Sequence, residues 1–167
     1  GSGTSYDVNQ AVRYAAGLQN DSGTVPAQPA DVINLSLGGG GFSQSEQDVF
    51  LAVRAAGVIV VAAAGNEASG APSYPASYNG VISVSAVDGQ RRLAPYSNFG
   101  SAIDIAAPGG DNSVDVNGDG YPDGVLSTAG SVSDSSVNFV YTFLNGTSMA
   151  APHVAGVIAL MKSVNAN

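Results

Sequence analysis

The run Val58-Ile59-Val60-Val61-Ala62-Ala63-Ala64, closed by Gly65-Asn66, decides the fold. From Val58 to Ala62 it is apolar without alternation. A strand with one wet face alternates apolar and polar residues, so a continuous run suits a strand covered on both faces, as in a parallel sheet. Parallel neighbours need crossover connections, usually helices, and the flanking sequence supplies them. Upstream, Ser43-Gln44-Ser45-Glu46 has capping-box spacing and predicts a helix from there to about Ala56, stopped by Gly57. Before it, Val32 to Leu37 reads as a short strand halted by Gly38 to Gly41. Val8, Ala11, Val12, Ala15 and Ala16 recur at helical spacing and predict a helix from Ser5 to Leu18, with Ser5 as N-cap and Asp7 in the first turn. Downstream, Val81 to Ala86 and Ile103 to Ala106 read as strands, Asp111 to Asp123 as an acidic loop, Val137 to Leu144 as an extended segment, and Thr147 to about Ser163 as a final helix. Strand, helix and strand in alternation predict an α/β domain with a mostly parallel sheet.

Composition agrees. A chain of 167 residues is one domain's worth. With 44% hydrophobic and 11% charged residues it has material for a core and too little charge for a disordered chain. Trp is absent, so the core must come from Val, Ile, Leu and Ala. Thirteen acidic residues against five basic ones give a net charge of −8, and Arg91-Arg92 is the only adjacent basic pair. Nucleic acid and anionic membrane are therefore not expected as partners. Without Cys there are no disulfides or thiolate metal sites, although that does not fix the compartment. The apolar runs are far shorter than a membrane span, and no signal-peptide pattern is present.

The stretch with most chemical content is Asn145-Gly146-Thr147-Ser148-Met149-Ala150-Ala151-Pro152-His153-Val154-Ala155-Gly156. It places a hydroxyl, Ser148, in the first turn of an apolar helix. Gly146 and the small residues after Ser148 leave room for a substrate backbone. Free N–H groups and the dipole at a helix start stabilise an anion forming there. Those are the needs of serine acyl transfer. A Thr/Ser cap on an ordinary core helix fits the same residues.

These twelve residues resemble the catalytic-serine signature of the subtilisin-like proteases. Asp31 to Gly39, Val60 to Asn66, Tyr74-Pro75-Ala76, Val81 to Val84, Tyr96 to Gly100 and Ile105 to Gly109 resemble further segments of that family, in order and spacing. The resemblance implies a three-layer subtilisin-like α/β domain whose N-terminal strands are missing, and a serine endopeptidase acting on protein or peptide. It implies Ser148 as the acylated nucleophile and Asn66 as an oxyanion donor beside the Ser148 N–H. Asn66 sits at the carboxyl end of a buried strand, where α/β sheets place ligands, although taken alone Gly65-Asn66 reads as a simple turn. By the same resemblance, Ser36, Leu37 and Gly38 on one side and Ala63, Ala64 and Gly65 on the other flank the first specificity pocket. Their small size predicts an open, mainly apolar pocket preferring large apolar or aromatic side chains. Gly1-Ser2-Gly3 resembles the opposing substrate strand, or is a cloning remnant.

The serine needs a base, and the base an orienting carboxylate. His153 is the single histidine. Five residues along a helix leave its side chain about 140° around the axis from Ser148, and in the family motif this histidine is structural. In the family's Asp, His, Ser order both partners precede the segment seen here. They are expected upstream, supplied by an N-terminal fragment of the same enzyme, and the isolated chain is expected to be inactive.

Asp115-Val116-Asn117-Gly118-Asp119-Gly120-Tyr121-Pro122-Asp123 forms a second motif, inside an insert at 110–124. Oxygen donors at positions 1, 3, 5 and 9, a glycine at 6 and the Tyr121 carbonyl at 7 match a calcium loop. Position 12 is Leu126, so the usual bidentate acid is missing and Asp111, Asp134 or a water would substitute for it; a solvated Asp/Gly turn fits the same residues. Calcium there would suit a secreted protease. Two other readings compete. One is a non-enzymatic calcium-binding or scaffold domain derived from a protease. The other is a hydrolase with a nucleophile elbow at Gly146 to Ala150, which fails because only 19 residues follow Ser148 to supply the later acid and histidine.

Overall fold

A computed structural model describes residues 3–133 and 136–165. The elements run α1 (Ser5–Ala15), β1 (Val32–Leu35), α2 (Gln44–Ala55), β2 (Ile59–Ala63), β3 (Val81–Val87), β4 (Ile105–Pro108), β5 (Val125–Ser133), β6 (Ser136–Leu144) and α3 (Thr147–Val164). Strands β1 to β4 form one sheet in that spatial order, every pair parallel. Val61 of β2 sits between Asn34 of β1 and Ile82 of β3.

The predicted two-sided burial of β2 is explicit in its packing. Val60 and Ala62 join a core with Val12 of α1 and Val49, Phe50 and Val53 of α2. Val61 and Ala63 point the other way, into a second core with Ala150, Ala151 and Val154 of α3. Successive strand side chains face opposite sides, so a strand roofed by helices on both faces has no polar position. Val60, Val61 and Ala62 are each 0% exposed, and burying a Val fully is worth about 1.5–3 kcal/mol. Helices α1 and α2 on one face and α3 on the other give three layers.

Several boundaries differ from the sequence expectation. Helix α1 is capped by Thr4, not Ser5: the Thr4 hydroxyl accepts the Asp7 N–H at 3.2 Å, and the Asp7 carboxylate accepts the Thr4 hydroxyl at 2.7 Å. The helix ends at Ala15 rather than Leu18, because the Leu18 N–H folds back to the Arg13 carbonyl at 2.9 Å. The capping box expected at Ser43 and Glu46 does not close. The Tyr78 hydroxyl stands between its two halves, accepting the Ser43 N–H at 3.1 Å and donating to the Glu46 carboxylate at 2.9 Å. Strand β1 stops at Leu35, two residues before Leu37. Strand β4 starts at Ile105, because the Ile103 N–H is used in a turn to Gly100. Strands β5 and β6 pair as an antiparallel hairpin, from Val125 opposite Leu144 to Ser133 opposite Ser136. No helix among the described residues is long and apolar enough to cross a membrane.

Candidate active site

The carboxyl end of β2 and the amino end of α3 meet where two hydrophobic cores leave off. Thr147, the first residue of α3, is fully buried, and its hydroxyl accepts the Gly65 N–H at 3.1 Å. The same hydroxyl donates to Asn66 Oδ1 at 3.0 Å, and the Thr147 N–H donates to that oxygen at 2.9 Å. With its carbonyl end pinned twice, the Asn66 amide presents Nδ2 outward, where it finds no acceptor among the described residues. Ser148 follows Thr147. Its N–H is one of the orphan donors of the helix start and likewise has no acceptor among the described residues. Its hydroxyl donates to the Ser36 carbonyl at 3.3 Å, while the Ser36 hydroxyl donates to the Ser148 carbonyl at 2.7 Å.

Gly146 makes the geometry legible. Its φ of +152° suits glycine. A Cβ built there would lie 3.5 Å from Asn66 Nδ2 and 3.7 Å from the Ser148 nitrogen. Two free donors therefore border one spot that the missing side chain keeps open, beside the Ser148 hydroxyl. An oxyanion needs such preorganised donors at its place of formation.

A small cavity of about 100 Å³ adjoins Ser148, and Leu37, Gly38, Ala63, Gly65, Asn66 and Thr147 line it. Ser36 and Ala64 are not among the lining residues: Ser36 is bonded to Ser148, and Ala64 is buried, with its carbonyl accepting from Asn98 Nδ2. Glu67 and Ser73 complete the lining. Sequence reading missed both, since neither falls in a strand that the pocket was expected to use. His153 Nδ1 is 2.8 Å from the Met149 carbonyl one turn back on α3, so that ring nitrogen serves the helix backbone and not Ser148.

In the insert, the backbone winds around Asp115, whose carboxylate accepts the N–H groups of Gly118, Asp119 and Gly120. Asp119 accepts from the Tyr121 N–H and the Asn117 amide, and Asp123 from the Val116 N–H. Among the described residues no three acidic or histidine side chains come together as a metal cluster. The donors are all oxygens, the right chemistry for a hard cation, but the carboxylates stand apart along the loop. Asp111 is buried and bonded to Ser113. Asp134, Gly1 and Ser2 lie outside the described residues.

A three-layer α/β domain with a parallel sheet, a serine in the first turn of a helix and an asparagine at a strand end is the subtilisin-like architecture. The chain belongs to the Subtilase family, whose model matches residues 1–167. It is 41% identical over 164 residues to an extracellular protease of Xanthomonas campestris, covering 97% of this chain and 26% of that protein. It is 40% identical over 167 residues to a thermophilic serine proteinase of Bacillus sp. strain AK1, covering 100% of this chain and 34% of that protein. Among solved structures, a protease of Pseudoalteromonas arctica superposes with a TM-score of 0.87 at 42% identity, covering 97% of this chain and 47% of that one. The chain thus spans about a quarter to a third of the length of these two curated relatives.

Proposed function

We propose that this chain carries the acyl-transfer half of a secreted serine endopeptidase. Ser148 Oγ attacks the scissile carbonyl carbon, and the resulting oxyanion takes hydrogen bonds from Asn66 Nδ2 and the Ser148 N–H. The supporting observation is the pair of unoccupied donors that border the space above Gly146. The Ser148 proton passes to an imidazole that this chain does not itself contribute, since His153 serves its own helix. We place that base and its orienting carboxylate in the N-terminal part of the same enzyme. The leaving amine then receives the proton, and water releases the acyl group from Ser148.

The cavity beside Ser148, about 100 Å³ with Glu67, Ser73 and Thr147 in its lining, is smaller and more polar than the open, mainly apolar pocket expected from the sequence. A preference for large apolar side chains is therefore proposed from the family resemblance alone. The Glu67 carboxylate at its rim disfavours acidic ones by like-charge repulsion. The insert is proposed to hold calcium through Asp115, Asn117, Asp119, the Tyr121 carbonyl and Asp123. An extracellular site of action accords with the name of the Xanthomonas relative.

The deciding experiment is labelling with a fluorophosphonate, mapped by mass spectrometry, on this chain and on the longer protein that contains it. Labelling of the longer protein at Ser148, lost in Ser148→Ala, is the expected result. No labelling of either would leave a calcium-binding or scaffold domain derived from a protease.

A further inference from the structure

Asn66 is held from one side by Thr147. The loop that carries it is held from the other side by residues 96–99, through the buried Asn98 side chain and through backbone bonds from the Ala68 N–H to the Tyr96 carbonyl at 2.8 Å and from the Phe99 N–H to the Ser69 carbonyl at 3.0 Å. Asn98 is 3% exposed. Its Nδ2 donates to the Ala64 carbonyl at 2.9 Å and to the Glu67 carboxylate at 2.8 Å. Its Oδ1 accepts the N–H groups of Glu67 at 3.0 Å and Ser69 at 3.1 Å. The Asn98 backbone N–H donates to the Gly65 carbonyl at 3.0 Å. Every hydrogen-bonding position of this amide is thus spent on residues 64–69, the segment in whose middle Asn66 sits. The fit is close: Gly65 has φ +109°, and a Cβ there would collide with Asn98 Nδ2.

The two residues before Asn98 extend the grip. The Ser97 hydroxyl accepts the Ala86 N–H of β3 at 2.8 Å. The Tyr96 hydroxyl lies 2.7 Å from the Gly110 carbonyl and 2.9 Å from the Gly109 carbonyl, and the latter also accepts the Gly146 N–H at 3.0 Å. One short run therefore holds the Asn66 loop, through the Asn98 side chain and three backbone bonds, and the turn before Ser148 through Tyr96.

We propose that Asn98 is a positioning residue for the reaction. It fixes the Gly65–Ser69 backbone so that Asn66 Nδ2 meets the oxyanion formed at Ser148, without itself touching substrate. The inference rests on the oxyanion role of Asn66. Only an amide supplies two donors and two acceptors at this place. Aspartate keeps the acceptors but loses both donors, and it sets a second carboxylate against Glu67, the titratable group bonded to this position.

The test is steady-state kinetics of the intact enzyme with N66A, N98A, N98D and the N66A/N98A pair. Misplacement of a reacting group by about 1 Å costs up to ~10²-fold, so N98A is expected to lower kcat roughly 10- to 100-fold. KM should move by no more than about twofold, as for an interaction made only in the transition state. In the N66A background the further loss should nearly vanish, because both changes remove one donor's contribution. The ratio of N98D to wild-type kcat should rise as pH falls, since the introduced carboxyl regains one donor once it is protonated. Full additivity of N66A and N98A, an unchanged kcat in N98A, or an N98D ratio flat with pH overturns the proposal while leaving Asn66 in place. An unchanged kcat in N66A overturns the oxyanion reading and this inference with it. If N98A does not fold, the isosteric N98D carries the test through its pH ratio.

Discussion

At the scale of single residues the site is a matter of what is absent. Gly146 has no side chain, and two donors border the gap. Gly146→Ala fills that gap with a methyl at 3.5 Å from Asn66 Nδ2 and asks alanine to adopt φ +152°. We expect kcat to fall on the scale of losing one oxyanion donor, about 10²–10³-fold, a figure observed in a subtilisin itself. Steady-state rates of the intact enzyme check this, and an alanine variant of full activity would place the oxyanion elsewhere. Ser148 and Asn66 were singled out in the sequence through the family resemblance of their segments, since a helix cap and a Gly-Asn turn fit the same residues locally. Glu67 and Asn98 were not. Glu67 lines the cavity through a turn made after β2, and Asn98 finds its partners about thirty residues back along the chain. No periodicity or cap marks either position.

At the scale of elements, the start of α2 shows how a tertiary contact overrides a local rule. The sequence there satisfies a capping box, yet Tyr78 enters between Ser43 and Glu46. Burial first, and then the bond to Glu46, push the Tyr78 phenol from its ordinary 10 up to about 12. The folded chain holds that proton more tightly than the unfolded chain. The stabilisation is therefore full below pH 10 and is lost as pH rises through about 12. Denaturant melts across that range should show falling stability. Tyr78→Phe should flatten part of the fall, with Tyr96, also raised by burial, supplying the rest. An unaltered alkaline slope in Tyr78→Phe would remove Tyr78 from the effect.

The insert and hairpin were half legible. Val137 to Leu144 reads as extended from its β-branched and aromatic residues, and β6 is there. Its partner β5 is rich in Ser, Thr and Gly, so only its first residue reads as strand. The calcium proposal belongs to this scale. At 10 mM calcium a site with a dissociation constant of about 10⁻⁴–10⁻³ M stabilises its fold by roughly 1–3 kcal/mol. Calorimetry of the intact protein should show that gain, and Asp115→Asn with Asp119→Asn should abolish it. An undiminished gain in the double variant would move calcium out of this loop.

At the scale of the whole molecule, the parallel sheet was legible because a strand buried on both faces must be apolar throughout, and β2 is. Strands β1 to β4 lie side by side in chain order, every pair parallel. The bounds of α2 matched and only its capping bond failed, because Tyr78 took both halves, whereas local back-bonds shifted the ends of α1 and β4.

The contacts that build the site join residues far apart in the chain: Ser36 to Ser148 across 112 positions, and Asn66 to Thr147 across 81. Such pairings form late, after the loop-closure entropy has been met. On the function proposed here, timing becomes a safeguard. A chain still emerging from the ribosome, or collapsed but not yet docked along α3, has a hydroxyl and an amide that have not met. It cannot cut the half-folded copies around it, which are the polypeptides a peptidase would find easiest to digest.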